Sequence, residues 1–267
     1  MTSRDRGGPP TLFCWRLAGP QGPSVYQALR VGEAVRAAAM RGGNMLGMAR
    51  LPEAFHDGGH RAQHDHAFWL PEDRDQDGHI DHVTVYARSG ISPRVVAALA
   101  AAEQIWLDYG HNWRLEPISL GHFRTGGLLG PSRYWDAVSA YVTPWNRTDA
   151  TGLKRPDLSP DAQLRREIVA RGWPEPVRIQ WPNVITLRDT TFEPDVFVRS
   201  TRHRRAPTGA FTGAPRLEFE TPLSGPVALG FGAHFGLGLF IPVVPGGQKV
   251  GAGRHPEVLR RRNLSTK

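Results

Sequence analysis

In the first half of the chain the apolar residues fall into two kinds of block. TLFCWRLAG (11–19), HAFWL (66–70), HIDHVTVYA (79–87) and RLEPISLGHF (114–123) are short apolar runs with β-branched and aromatic members, which predicts strands. SVYQALRVGEAVRAAAM (24–40) places Val25, Leu29, Val35, Ala37 and Met40 on a loose helical stripe, with Ser24 as cap and Gly42-Gly43 as terminator. SPRVVAALAAAEQIWLDYG (92–110) is a clearer helix, with Ser92 as cap, Pro93 at its first position and Gly110 as its stop. Asp77-Gly78 suits a tight turn joining the second and third strands. The order strand, helix, strand, strand, helix, strand is the split βαβ pattern of a ferredoxin-like domain, expected over residues 11–128.

Beyond GGLLGPSR (126–133) the pattern weakens. SRYWDAVSAYVTPW (132–145) predicts a kinked strand and DAQLRREIVARGW (161–173) a helix with an arginine-rich face. VRIQW (177–181), VFVRSTRHR (196–204), PRLEFETP (215–222) and GLGLFIPV (236–243) supply further strands, and SGPVALGFGAHFG (224–236) a glycine-punctuated turn. The expected fold class is therefore α+β, with tandem ferredoxin-like domains, the second (129–245) degenerate. Residues 1–10 and the basic stretch 246–267 read as flexible tails.

Composition narrows the function classes. Lys and Arg number 33 against 25 Asp and Glu, for a formal charge of +8 and a pI near 10.3, which points to a polyanionic partner, nucleic acid before membrane. Gly (30) and Pro (23) make up about a fifth of the chain, which argues for short strands and many turns. The one cysteine, Cys14, excludes a disulfide framework and a thiolate zinc site, and reads as a small buried residue. No apolar run is long enough to span a bilayer, and MTSRDRGGPP has no apolar signal core, so a cytoplasmic protein with no membrane partner is expected.

Chemistry concentrates in one stretch: six of the 11 histidines lie between His56 and His82. His64 and His66 share one face of an extended chain, and imidazole moves protons near neutral pH. With Asp81 or His82 they also form a conceivable three-ligand zinc set, although the spacing matches no zinc motif. The run Asp73, Asp75, Asp77, Gly78, Asp81 imitates a calcium loop, but position twelve is Thr84 in place of a bidentate carboxylate. An acidic hairpin turn, with at most weak calcium binding, is the favoured reading.

Further along, VRSTRHRRA (198–206) offers Arg199, Arg202, His203, Arg204 and Arg205 as a phosphate track. Gly230, Gly232, Gly236 and Gly238 flank His234 in a loop whose N–H groups suit a phosphate cradle, though it matches neither nucleotide fingerprint. Of Trp106, Trp113, Trp135, Trp145, Trp173 and Trp181, most are expected in the core and some on bases.

HDHAFWLPEDRDQDGHIDHVTVYA (64–87), GPSRYWDAVSAYVTP (130–144) and SGPVALGFGAHFGLGLF (224–240) together resemble CRISPR-associated RAMP-superfamily proteins of type I-U, also called I-G. In that family a small RAMP subunit is fused to a Cas-six-type RNA endonuclease. The resemblance is to the C-terminal, endonuclease-like half and covers residues 11–243. It implies cleavage of CRISPR repeat RNA without metal or other cofactor, by attack of the substrate's own 2′-hydroxyl, and retention of the crRNA beside other effector subunits. In relatives of this type a histidine often follows the first helix, where this sequence has His56, His60, His64 and His66.

The residues fit that chemistry on their own terms. A base must take the 2′-hydroxyl proton, and an acid must protonate the leaving 5′-oxygen. His64 and His66 are the expected pair, with His82 in reserve and Tyr86, on the same strand face as His82, assisting. Arg199, Arg202, His203, Arg204, Arg205 and the loop around His234 are the expected RNA contacts. Two alternatives stand beside this: a non-catalytic RNA-binding subunit of a type I effector complex, and a metal-dependent hydrolase built on the His/Asp cluster.

Overall fold

The computed structural model describes residues 8–49, 51, 55, 66–107, 110–121, 127–146, 155–188 and 190–243. His64, residues 1–7 of the expected N-terminal tail and the expected basic tail lie outside the described residues.

The first half builds a five-stranded antiparallel sheet. Its elements are β1 (Leu12–Ala18), α1 (Ala28–Met45), β2 (Phe68–Glu72), β3 (His82–Tyr86), α2 (Pro93–Ala100), β4 (Gln104–Trp106) and β5 (Asn112–Gly121). The order β2-β3-β1-β5-β4 is the ferredoxin-like arrangement with β4 added at the edge. The register Phe13↔Val85↔Trp69 puts large apolar side chains on one face, where they pack with Leu29, Val35 and Leu99 of the two helices. The opposite face carries Cys14, Thr84 and Leu70.

Two helix boundaries differ from expectation. Ser24 makes no side-chain cap; a 3-10 turn, Val25–Gln27, comes first and α1 runs on to Met45. Gly42 and Gly43 lie buried inside α1, because a Cβ on Gly42 would run into the Ala98 carbonyl of α2. They set a close helix crossing and do not end the helix. Ser92 does cap α2, accepting from the Val95 N–H at 3.4 Å. That helix ends at Ala100, and the predicted last turns become β4, whose Ile105 is fully buried opposite Trp113 of β5. Tertiary pairing here overrides local helix preference.

The second half contributes β6 (Ser132–Ala137), β7 (Tyr141–Val142), α3 (Pro160–Ala170), β8 (Arg178–Gln180), β9 (Ile185–Leu187), β10 (Thr190–Phe192), β11 (Thr212–Gly213), β12 (Arg216–Leu223), β13 (Val227–Ala228) and β14 (Leu239–Val243). The main sheet is ordered β13-β14-β6-β12-β8, again the ferredoxin-like order, with only α3 on its outer face. Trp135, Leu217, Phe219 and Phe240 pack there with Leu164 and Ile168 of α3. The fold is thus a tandem of ferredoxin-like units, and the second is degenerate: its second helix is replaced by β13 and a glycine-rich loop with one 3-10 turn, Ala233–Phe235. The strand expected over 196–204 is instead a 3-10 turn, Pro194–Val196, and a loop closed by a Ser200–Arg205 bridge.

That loop joins the two halves. Phe235 and Leu237 belong to the core of the first half. Ser139 donates to the Gly236 carbonyl at 2.7 Å and accepts from the Leu239 N–H at 2.9 Å. Phe68 and Leu70 of β2 pack against Leu128, Ala228, Ala233 and Leu239, so the inner faces of the two sheets meet. A Cβ on Gly32 of α1 would stand 2.5 Å from the Phe235 carbonyl oxygen.

Gly32→Ala therefore separates two effects of opposite sign. Helix propensity favours alanine by about 1 kcal/mol, whereas forced overpacking costs about 1–3 kcal/mol. We expect a lower urea midpoint for the variant. A raised midpoint would show that α1 and the loop do not approach this closely.

Candidate active site

β2 and β3 pair with Phe68 opposite Tyr86 and Glu72 opposite His82. His66 precedes Phe68 by two residues and lies at the Tyr86 end of this ladder. The glycine-rich loop delivers His234 to the same end. The His234 ring stacks on Phe68 with centroids 4.1 Å apart and planes 19° from parallel, and its Nδ1 is 3.4 Å from the Ala67 carbonyl oxygen. The His66 ring stands edge-on to it, with centroids 6.1 Å apart. Both His66 nitrogens are buried and make no hydrogen bond among the described residues. Two histidines 168 positions apart in sequence thus share one aromatic platform.

Tyr86 closes one side of the platform, its ring 6.3 Å from Phe68. Burial pushes its phenol above the ordinary value, against the opposing charge of Arg88. The guanidinium of Arg171, just past the end of α3, lies 5.5 Å from the Phe68 ring centre and 5.7 Å from that of Trp173.

His82 stands at the far end of β3. Tyr86 is four steps along the strand from it, about 13 Å at the usual rise. Its Nδ1 is 2.9 Å from an Asp81 carboxylate oxygen. Burial alone would raise the Asp81 carboxyl, but His82 and the Arg74 N–H hold it below its ordinary value. The ladder therefore keeps His66 apart from both Asp81 and His82, and the zinc set drawn from them is not assembled.

Asp73, Asp75 and Asp77 do converge, with one oxygen of each within 4.8 Å of the others. These oxygens organise the β2–β3 connection. Asp73 accepts from the Asp77 and Gly78 N–H groups, at 3.1 and 2.8 Å, and Asp77 accepts from the His79 N–H at 2.8 Å. The connection is a wide loop with left-handed Gln76 and Gly78, not the two-residue turn expected. Thr84, at the twelfth position of the calcium pattern, lies in β3 and donates to Glu72.

Beside this loop is a polar knot that gave no sequence signal. Arg74 donates to both carboxylate oxygens of Glu72, at 3.1 and 3.0 Å, and approaches the Thr84 hydroxyl at 3.3 Å and the Cys14 sulfur at 3.1 Å. Burial pushes the Cys14 thiol up to about 11, so it stays protonated. A cavity of about 60 Å³ adjoins the knot and is lined by Glu72, Arg74, Ser139 and Ile241 among others.

The expected RNA contacts divide into two groups. Arg199 donates to the Thr212 hydroxyl at 2.9 Å and faces Asp195 at 3.4 Å. Arg204 is 3.0 Å from Glu33 of α1 and lies over Phe235 at 4.1 Å. Arg204 thus serves packing and Arg199 is half-buried, while Arg202, His203 and Arg205 are exposed. In the loop, Gly230, Gly232, Gly236 and Gly238 all have positive φ. A Cβ on Gly230 would come 2.6 Å from the Val142 carbonyl oxygen, and one on Gly236 would strike Pro71. The glycines therefore permit close packing and do not form an open cradle. Of the tryptophans, Trp135 is fully buried, Trp113, Trp173 and Trp181 flank the cores, and Trp106 and Trp145 are exposed beneath Arg41 and Arg166.

Among solved structures the chain is similar to a Cas6 product complex, with 12% identity and a TM-score of 0.43 over 89% of this chain and 100% of that one. It is also similar to a RAMP protein binding different RNA substrates, with 13% identity and a TM-score of 0.40 over 86% and 97%. No protein-family model and no curated protein matches it. Among the described residues no helix is long and apolar enough to cross a membrane.

The acidic loop yields a pH test. Burial raises the Asp73 carboxyl to about 7; the Gly78 N–H opposes this and the hydrogen-bonded Asp75 adds to it. A folded value above the unfolded one means that the contribution to stability is complete below about pH 4 and is lost as pH rises through about 7. Asp75→Asn removes the like charge and keeps an oxygen for the Asp77 N–H. The urea midpoint of wild type is expected to fall more between pH 5 and 8 than that of the variant; equal falls would refute the assignment.

Proposed function

We propose that the protein is a metal-independent endoribonuclease that cleaves CRISPR precursor RNA within its repeats and retains the crRNA. The observation that carries this is the His66–His234 juxtaposition on Phe68. Phe68 is 8% exposed and both His66 nitrogens are buried, so a phosphodiester reaches both rings once the side chains over the platform move aside. One imidazole takes the 2′-hydroxyl proton as the 2′-oxygen bonds to phosphorus. The other donates a proton as the bond from phosphorus to the 5′-oxygen breaks. The products are a 2′,3′-cyclic phosphate and a 5′-hydroxyl.

The state of His66 supports this reading. A buried polar group without a partner costs about 1–3 kcal/mol, and a substrate that supplies a donor or acceptor offsets that cost. Tyr86 flanks the platform and is proposed to assist; His64, two residues from His66, is proposed as a further proton-transfer group. The exposed Arg202, His203 and Arg205 supply a phosphate track, since the adjacent Arg204 anchors their loop to Phe235, next to His234. Binding through such a track weakens with salt.

A second reading, an RNA-holding subunit of an effector complex without turnover, is favoured by one observation: the glycine-rich loop is engaged in packing between the halves.

The deciding assay incubates repeat RNA with purified protein in EDTA and analyses the product ends. Wild type is expected to give cyclic-phosphate ends in chelator. His66→Ala and His234→Ala are each expected to slow cleavage by about 100-fold or more while RNA affinity stays within about threefold. Intact RNA bound tightly by wild type establishes the holding subunit instead, and undiminished cleavage in both variants removes the histidine assignment.

A further inference from the structure

We infer that Glu167 and Arg171 are a positioning pair that holds His234 in register against His66. The inference goes beyond the nuclease reading and depends on it only for its kinetic consequence.

Both side chains are buried, at 10% and 7% exposure, and stand one helical turn apart, with Arg171 Nη2 donating to Glu167 Oε1 at 2.8 Å. The other oxygen, Glu167 Oε2, accepts from the Gly230 N–H at 2.7 Å. Gly230 opens the turn that carries His234, and its left-handed backbone (φ +91°) lies against Tyr141 and Val142. One carboxylate thus fixes the start of the loop and orients a guanidinium. That guanidinium lies over Phe68, the ring on which His234 stacks. The pair therefore grips both supports of His234, the backbone four residues before it and the platform beneath it.

The arrangement also bridges the halves, since α3 belongs to the second and Phe68 to the first. A buried ion pair is a poor source of net stability, because desolvation offsets much of its attraction. A directional bond to a backbone N–H and a cation–π contact with an aromatic ring supply geometry instead. Reacting groups must be held closely, and a displacement of about 1 Å costs on the order of 100-fold in rate.

The test uses the full chain and a charge-neutral double variant, Glu167→Met with Arg171→Met, which removes the acceptor of the Gly230 N–H and leaves no lone charge in the core. Leu99→Ala, a truncation in the α2 core, controls for lost stability alone. The first readout needs no RNA: His234 ring protons, displaced upfield by the Phe68 stack, are followed by NMR. The second is kcat and KM on repeat RNA, with the affinity for 2′-deoxy repeat RNA as reference. We expect the double variant to lose the upfield displacement and to lose about 10- to 100-fold in kcat, with KM and reference affinity unchanged. Leu99→Ala should change neither. An unmoved His234 signal, or an unchanged kcat in the folded double variant, overturns the inference. If wild type itself does not cleave, the nuclease reading fails, and the NMR comparison still decides the positioning role.

Discussion

The structure depends on a close approach that leaves no room for a side chain. Where the second ferredoxin-like unit lacks a helix, the glycine-rich loop folds back onto α1 and β2 of the first. Gly32 faces the Phe235 carbonyl, Gly236 faces Pro71, and Gly238 lies under the Leu229 carbonyl. Phe235 and Leu237 then complete the first half's core, and the inner face of β2 is covered by Leu239 and Ala228. Without that approach Phe68 and Leu70 would face solvent, and the two sheets would have no common apolar surface.

Polar groups buried near this junction follow one pattern: a carboxylate meets an arginine, with neutral or aromatic neighbours around the pair. Glu72 and Arg74 share Thr84 and Cys14. Glu33 and Arg204 lie against Phe235. Glu167 and Arg171 engage the Gly230 N–H and two aromatic rings. Apolar contact is tolerant of sliding, whereas the hydrogen bonds and ion contacts of these pairs are directional and hold in one register. Hydrophobic burial brings the halves together, and the polar contacts define how they meet. Each of these buried arginines is matched by a carboxylate, so the pairs leave the formal charge of +8 unchanged for the rest of the surface.

The sequence shows the first half well because its signals are local. Apolar runs mark the strands, and Ser92-Pro93 marks the start of α2. Misreadings arise where a residue serves a distant neighbour. Gly42-Gly43 has the form of a helix stop, yet its lack of side chains serves α2. Residues 104–106 extend an alanine-rich helix on paper, yet β5 takes Ile105 into the sheet. The β9–β10 hairpin turns through Arg188 in a left-handed conformation, which no glycine announces. The same rule governs the site. The histidine density drew attention to His66, and the glycines to His234, but nothing local says that they meet. Glu167 and Arg171 lie in the segment that reads as a helix with an arginine-rich face; only the docking of α3 beside the loop and β2 reveals them as buried.

For the proposed proton transfer, a site divided in this way has a physical consequence. Had both imidazoles stood on one loop, their separation would follow every fluctuation of that loop. Here one ring is held at the start of β2 and the other on a loop whose backbone is wedged between α1, β2 and β7. Each is fixed by packing that a full domain supplies, and the aromatic ring between them belongs to a sheet. Rigid elements place reacting groups more tightly than loops do. The glycines matter to the proposed chemistry because they let the loop carrying His234 become part of the core.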